Sequence, residues 1–189
     1  SATPPTSAVN MQFDHALAQI VFAAKSNVEG VAFDISSIEL IQFQNSGRVN
    51  LRNPTQWTNL AGDADYTASL GSNTGIGYHA TDYTSLTGTD GVLMVMPQTL
   101  TEGQTPFVDG SGSYIRVTFG AKDVATGESV IDAGKVITKP LGITLEKGKR
   151  YTIQLGMRGN SDNGNELDAI EFTAGVNGWE DAGATNVIN

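Results

Sequence analysis

The chain contains no cysteine among its 189 residues. This excludes disulfides, thiol catalysis and thiolate metal sites, but not secretion, because a domain of this size can bury a core without staples. Charge is also scarce: 16% of residues are Asp, Glu, Lys or Arg, and 11 cations face 20 anions for a formal charge of −9. Such a chain is repelled by phosphate backbones and anionic lipid, so nucleic acid is not an expected partner. No apolar run approaches the ~18 residues of a membrane span. Nor does a basic start lead into an apolar stretch, so no export signal is expected in these residues.

What the chain does have is 22 glycines, with Thr, Ser and Asn recurring throughout. That composition favours strands and turns over helical bundles. Residues 1–8 read as a linker that includes Pro4 and Pro5. From Val31 onward short apolar runs alternate with turn signals. Phe33 and Ile35 alternate, and the phase slips at Ser36-Ser37 so that Ile38 and Leu40 continue it, as a β-bulge would produce. Asn45-Ser46-Gly47 reads as a turn into the strand Arg48–Leu51, and Gly71–Gly91 as a long exposed loop. Val92–Met96 reads as a central strand stopped by Pro97, and Tyr114–Phe119 places Ile115, Val117 and Phe119 on one face. Lys147-Gly148-Lys149 is the strongest hairpin signal, Ser161–Glu166 a further polar loop, and Ala169–Val176 a late strand. The expected fold is all-β, a two-sheet antiparallel β-sandwich of about seven or eight strands. Phe13–Phe22 stays open on local pattern: Phe13, Leu17, Ile20 and Ala24 fit a helix, and a strand apolar on both faces fits as well.

Few residues suggest chemistry. His15 and His79 are the only histidines, and neither Ser7 nor Asp14 sits in anything like a nucleophile elbow. The preferred readings are a hydrogen bond locking a strand for His15 and surface decoration for His79. The run from Asn160 to Asp168 is rich in oxygen, but Gly164 falls at the wrong position for a calcium loop, so a polar turn is preferred and no metal is expected. Asp63, Asp65 and Glu102 could be drafted as glycosidase carboxylates, without the separation or raised pKa that chemistry needs being readable. Trp57, Tyr66, Tyr78 and Tyr83 are the candidate ligand-binding residues, as a platform for stacking sugars. Trp179 is expected to cap the last strand. No enzyme constellation and no cofactor is expected.

Phe13-Asp14-His15-Ala16-Leu17-Ala18-Gln19-Ile20 resembles the F-x-H-A-L-[AS]-[KQ]-I segment that opens the C-terminal half of Bacteroidetes fimbrillin-family proteins, the subunits of type V pili and related surface lipoproteins. Further segments follow in the family's order: Ile38–Leu40, Gly47–Leu51, Leu93–Leu100, Leu145–Ile153 and Val176–Trp179. The resemblance implies a transthyretin-like sandwich over residues 9–181, a tail at 182–189, and Phe13–Phe22 as a strand. It implies a cell-surface, fimbrial or outer-membrane location in a Gram-negative bacterium. The partners it implies are other pilus subunits or a surface receptor or glycan, joined by strand pairing and surface binding. It also implies that the family's N-terminal domain with its lipidated cysteine, the route to the membrane, is missing or removed. No Arg lies between Ser1 and Asn10 and little chain follows Trp179, so a tip or accessory role stands beside a stem role. The alternative is a carbohydrate-binding module of a surface glycan-uptake system.

Overall fold

The computed structural model describes residues 15–50, 57–71, 74–78, 82–88, 91–158 and 169–178, the last segment and residue 158 by backbone alone. Phe13, Asp14, His79, the run 160–168 and Trp179 lie outside the described residues. The described residues hold fourteen strands and no helix, so the all-β expectation holds with more strands than the seven or eight expected.

The first strand resolves the open segment. β1 (Ala18–Ser26) buries Ala18, Ile20, Phe22 and Ala24 on one face, the period-two pattern of a strand. β2 (Val31–Phe43) buries Phe33, Ile35, Ile38 and Leu40, and its register against β10 (Tyr114–Asp123) shifts where Ser36 intervenes, placing the bulge where the phase slips. The short β3 (Ser46–Val49), β4 (Trp57–Ala61) and β5 (Ala64–Thr67) follow, then β6 (Gly75–Ile76), β7 (Thr84–Ser85), β8 (Leu93–Val95) and β9 (Gln98–Thr99). After β10 come β11 (Ser129–Pro140), β12 (Thr144–Leu145), β13 (Lys149–Arg158) and β14 (Ala169–Gly178).

These strands form two main sheets. One runs β14-β13-β1, with β7 and β8 sharing the far edge of β1; the other runs β11-β10-β2, with β5 and β6 sharing the far edge of β2. Ile20, Phe22, Tyr151, Ile153 and Leu155 from the first sheet join Phe33, Ile35, Ile38, Leu40, Ile115, Val117 and Phe119 from the second in one core cluster. Two small pairs, β3 with β4 and β9 with β12, stand beside the sandwich.

Several local expectations change in this topology. β3 begins already at Ser46, within the expected turn, and pairs with β4 rather than returning along β2. Gly71–Gly91 is not a free loop. Ile76 and Leu86 are fully buried, β6 adds to β2 and β7 to β1, so two apolar anchors among polar residues tie the segment to both sheets. Val92–Met96 supplies the three-residue β8 at the edge of β1, with Met94 exposed, rather than a central strand. The hairpin at Lys147-Gly148-Lys149 does not form. Gly148 turns the chain with φ +67, but β12 pairs with β9 while β13 enters the first sheet parallel to β1. The Gly148 amide bonds the Leu17 carbonyl, so the turn docks on the approach to β1 instead of folding back on β12.

Tyr114, expected on the outer face, is nevertheless buried, because the segment from Thr101 to Gly112 covers it. Its hydroxyl accepts from the Val108 amide and sits 2.5 Å from the Ser111 hydroxyl, while Phe107 packs edge-on against its ring. Gly103 lies so near that a Cβ would fall 1.9 Å from the Tyr114 ring, so only glycine lets the segment close over it.

Two outcomes follow from this architecture. Phe119→Ala, which empties space between the two sheets, should lower stability by about 3–5 kcal/mol in urea denaturation. The turn between β10 and β11 carries the second. Asp123 Oδ1 accepts from the Thr126 amide and hydroxyl and from the Ala125 amide, and these bonds hold its carboxyl below the ordinary 3.8. The charged form is therefore favoured in the fold, and its contribution is complete above pH 3.8 and lost as pH falls through the lower folded value. NMR of the Ala125 and Thr126 amides should show one transition below 3.8 in wild type and none in Asp123→Asn. A transition at or above 3.8 would contradict this assignment.

Candidate functional site

The four candidate aromatics fall at three places. Trp57 opens β4, half-buried, and its Nε1 donates to the Ala16 carbonyl at 2.7 Å. Tyr83 lies at the other end of β1, where the Lys25 ammonium sits 4.5 Å from its ring centroid. Tyr78, 48% exposed, bridges to Ser26 beside it. Extended chain between Ala16 and Lys25 spans roughly 30 Å at ~3.3 Å per residue. Trp57 therefore does not share a platform with Tyr78 and Tyr83. Tyr66 is on β5 in the other sheet, packed edge-on to Phe43 at 6.0 Å, and burial pushes its phenol above the ordinary 10.0.

The remaining candidates are dispersed too. His15 is exposed, just before β1. Asp63 is exposed between β4 and β5, whereas Asp65 Oδ1 accepts the Gln42 amide at 3.0 Å. That bond helps to hold Gln42 in a left-handed conformation (φ 62) at a break in the β2–β5 register. Glu102 bridges to Ser113 on a different stretch of chain. Among the described residues no three acidic or histidine side chains cluster to hold a metal.

Trp57 has neighbours that the sequence did not suggest. It lines an open cleft of about 600 Å³ together with Leu60, Pro97, Thr99, Thr144, Glu146 and Lys147. The cleft is built by pairing. β9 and β12 place Thr99 opposite Thr144, with their hydroxyls 3.3 Å apart. Gln98 is buried and locked to Gln44, accepting from its amide at 2.9 Å and donating to its carbonyl at 3.0 Å. The Glu146 amide donates to the Tyr151 hydroxyl at 2.8 Å, and burial raises that phenol's pKa above the ordinary 10.0. These bonds fix the walls and leave the Thr99, Thr144 and Glu146 side chains exposed. Leu93–Leu100 and Leu145–Ile153 carried part of the family resemblance, but the pairing of β9 with β12 across 45 residues of chain has no local signature.

The two-layer strand topology defines a β-sandwich domain whose long edge strands, among the described residues, are β11 and β14. The family follows from comparison with known proteins. A profile described as fimbrillin-like matches residues 1–179, and the chain belongs to that family. No curated protein matches it. Among solved structures, a fimbrial protein from Bacteroides vulgatus shares the fold with a TM-score of 0.54 at 14% identity, covering 88% of this chain and 55% of that one. Two candidate cell adhesion proteins from Parabacteroides distasonis align with TM-scores of 0.49 and 0.48. They are 10% and 12% identical, covering 88% and 90% of this chain and 59% and 54% of theirs. The chain thus spans little more than half the length of these structures.

Trp57→Phe keeps an aromatic surface but loses the bond to Ala16. It should cost about 1 kcal/mol in urea denaturation and release the amides around Ala16 to faster hydrogen exchange. An unchanged stability and exchange pattern would mean that this bond does not hold the start of β1.

Proposed function

We propose that this chain is a cell-surface structural and adhesion subunit of a fimbria, and that it joins other subunits by strand pairing at the outer edge of β11. In this reading residues 9–181 form the C-terminal sandwich of a fimbrillin-type protein, with 1–8 as linker and 182–189 as tail. Membership of the fimbrillin-like family supports the role, and the fold shared with a fimbrial protein supports the location at the cell surface.

The observation that carries the assembly mode is β11 itself. It spans twelve residues and, among the described residues, pairs on one side only, with β10. Val130 and Val136 on it are 49% and 50% exposed. A free edge of this length offers main-chain hydrogen bonds to an incoming strand, with side chains alternating between partners. The edge is also guarded. Five residues of β11, Ile131 to Lys135, span only Phe119 to Ala121 on β10, and Gly134 there has φ +95. Asp132, Lys135, Lys139 and Pro140 add charge and an end stop. Such features discourage casual edge-to-edge pairing and leave a complementary strand favoured. Lys135 and Lys139 place cations on an edge of an otherwise acidic chain, which suits an acidic partner strand.

The test uses the full chain with peptides matching the C-terminal strands of sister subunits, and scores SDS-resistant ladders after limited proteolysis. Val136→Lys and Val130→Lys should each abolish ladders and peptide capture while changing stability by less than about 0.5 kcal/mol. Ladders that persist in both variants would remove β11 as the assembly edge.

A further inference from the structure

We propose that the cleft between β4 and the β9–β12 pair is a saccharide site that takes a neutral oligosaccharide. The indole of Trp57 is held by its edge. With Nε1 committed to the Ala16 carbonyl, what the half-buried ring presents to the cleft is its apolar carbon surface. Sugar rings have apolar C–H faces that pack on such surfaces, with hydroxyls left around their rim to be satisfied. The far wall supplies partners. The Thr99 and Thr144 hydroxyls are exposed on paired strands 3.3 Å apart, and each can both donate and accept, as sugar hydroxyls do. Glu146 adds an exposed carboxylate that accepts from vicinal hydroxyls.

Size and rigidity agree. A volume of about 600 Å³ lies within the ~300–1,000 Å³ usual for small-molecule sites. The walls are fixed before any ligand arrives, through the β9–β12 ladder and the two Gln98–Gln44 bonds, so little ordering is left to oppose binding. Charge selects among sugars. Glu146 and Lys147 both line the cleft and offset each other, so no net charge of the lining calls for an ionic sugar, and the formal −9 on the chain disfavours carboxylated or sulfated glycans. The site does not rest on strand pairing at β11, which lies in a different sheet, so either proposal can fail alone.

The experiment is an NMR titration of the full chain with maltotriose, cellotriose and tri-N-acetylchitotriose, following the two tryptophan indole N–H resonances, with Trp57→Phe used only to assign them. At least one of the three sugars should move the Trp57 resonance saturably. Thr144→Val and Glu146→Gln, both at exposed positions, should each weaken that affinity about threefold to tenfold and leave the amide spectrum away from the cleft unchanged. The proposal is overturned if none of the three moves the Trp57 resonance at about 10 mM. It is equally overturned if both variants bind as tightly as wild type, or if sialyllactose binds more tightly than the neutral sugars.

Discussion

The fold depends on the parallel ladder between β1 and β13, which runs without a break from Gln19↔Arg150 to Ser26↔Met157. It joins residues about 130 positions apart in the chain, and the Asn27 amide continues it to the Met157 carbonyl. A parallel neighbour cannot be reached by a tight turn, so the whole second sheet is built in the connection between the two strands. At its start, Arg150 donates to the Gln19 side chain, coupling the two strands at one end. The inward faces of this ladder then meet the β2 and β10 faces in one core. The opposite edge of β1 is closed piecewise, by β8 at Ala18–Ile20 and by β7 at Ala23–Ala24. The Leu86 amide bonds the Phe22 carbonyl between them. With that edge engaged, the long edges left unshared among the described residues are those of β11 and β14.

Much of the sandwich was legible because burial writes period-two patterns. Ile115, Val117 and Phe119 reach zero exposure as their alternation requires, and the phase slip at Ser36-Ser37 is the bulge itself. Apolar pattern alone left Ala18–Ala24 undecided, because a strand covered on both faces lacks clean alternation. Gln19 and Ala23, on the outward face, are 8% exposed. Pairing partners were the least legible property. Lys147-Gly148-Lys149 has the chemistry of a hairpin turn, and a glycine with positive φ does sit there, yet the strands it joins pair elsewhere. Turn residues specify a change of direction; distant strands decide which ladder the chain then enters.

The same division governs function. Trp57 was identifiable as a candidate, but the Thr99–Thr144 wall it faces exists only because β9 meets β12. Tyr78 and Tyr83, also candidates, are set near the far end of β1 by pairings in the segment between Gly71 and Gly91 that no local pattern encodes. Family membership gives this arrangement its context. Under the proposed assembly, a sandwich whose central strand is closed on both sides and whose outer strand, among the described residues, pairs on one side only suits a subunit that must be stable alone and still accept a neighbour. Binding at the cleft and assembly at the edge would then use separate elements of one rigid scaffold.

The assembly claim is tested most directly by amide hydrogen exchange on β11, measured in the free chain and in the assembled fibre. Amides of Ser129–Lys139 not engaged with β10 should exchange rapidly in the free chain and become protected on assembly, while β1 and β13 are protected in both. Exchange along β11 that stays the same in fibre and free chain would contradict it.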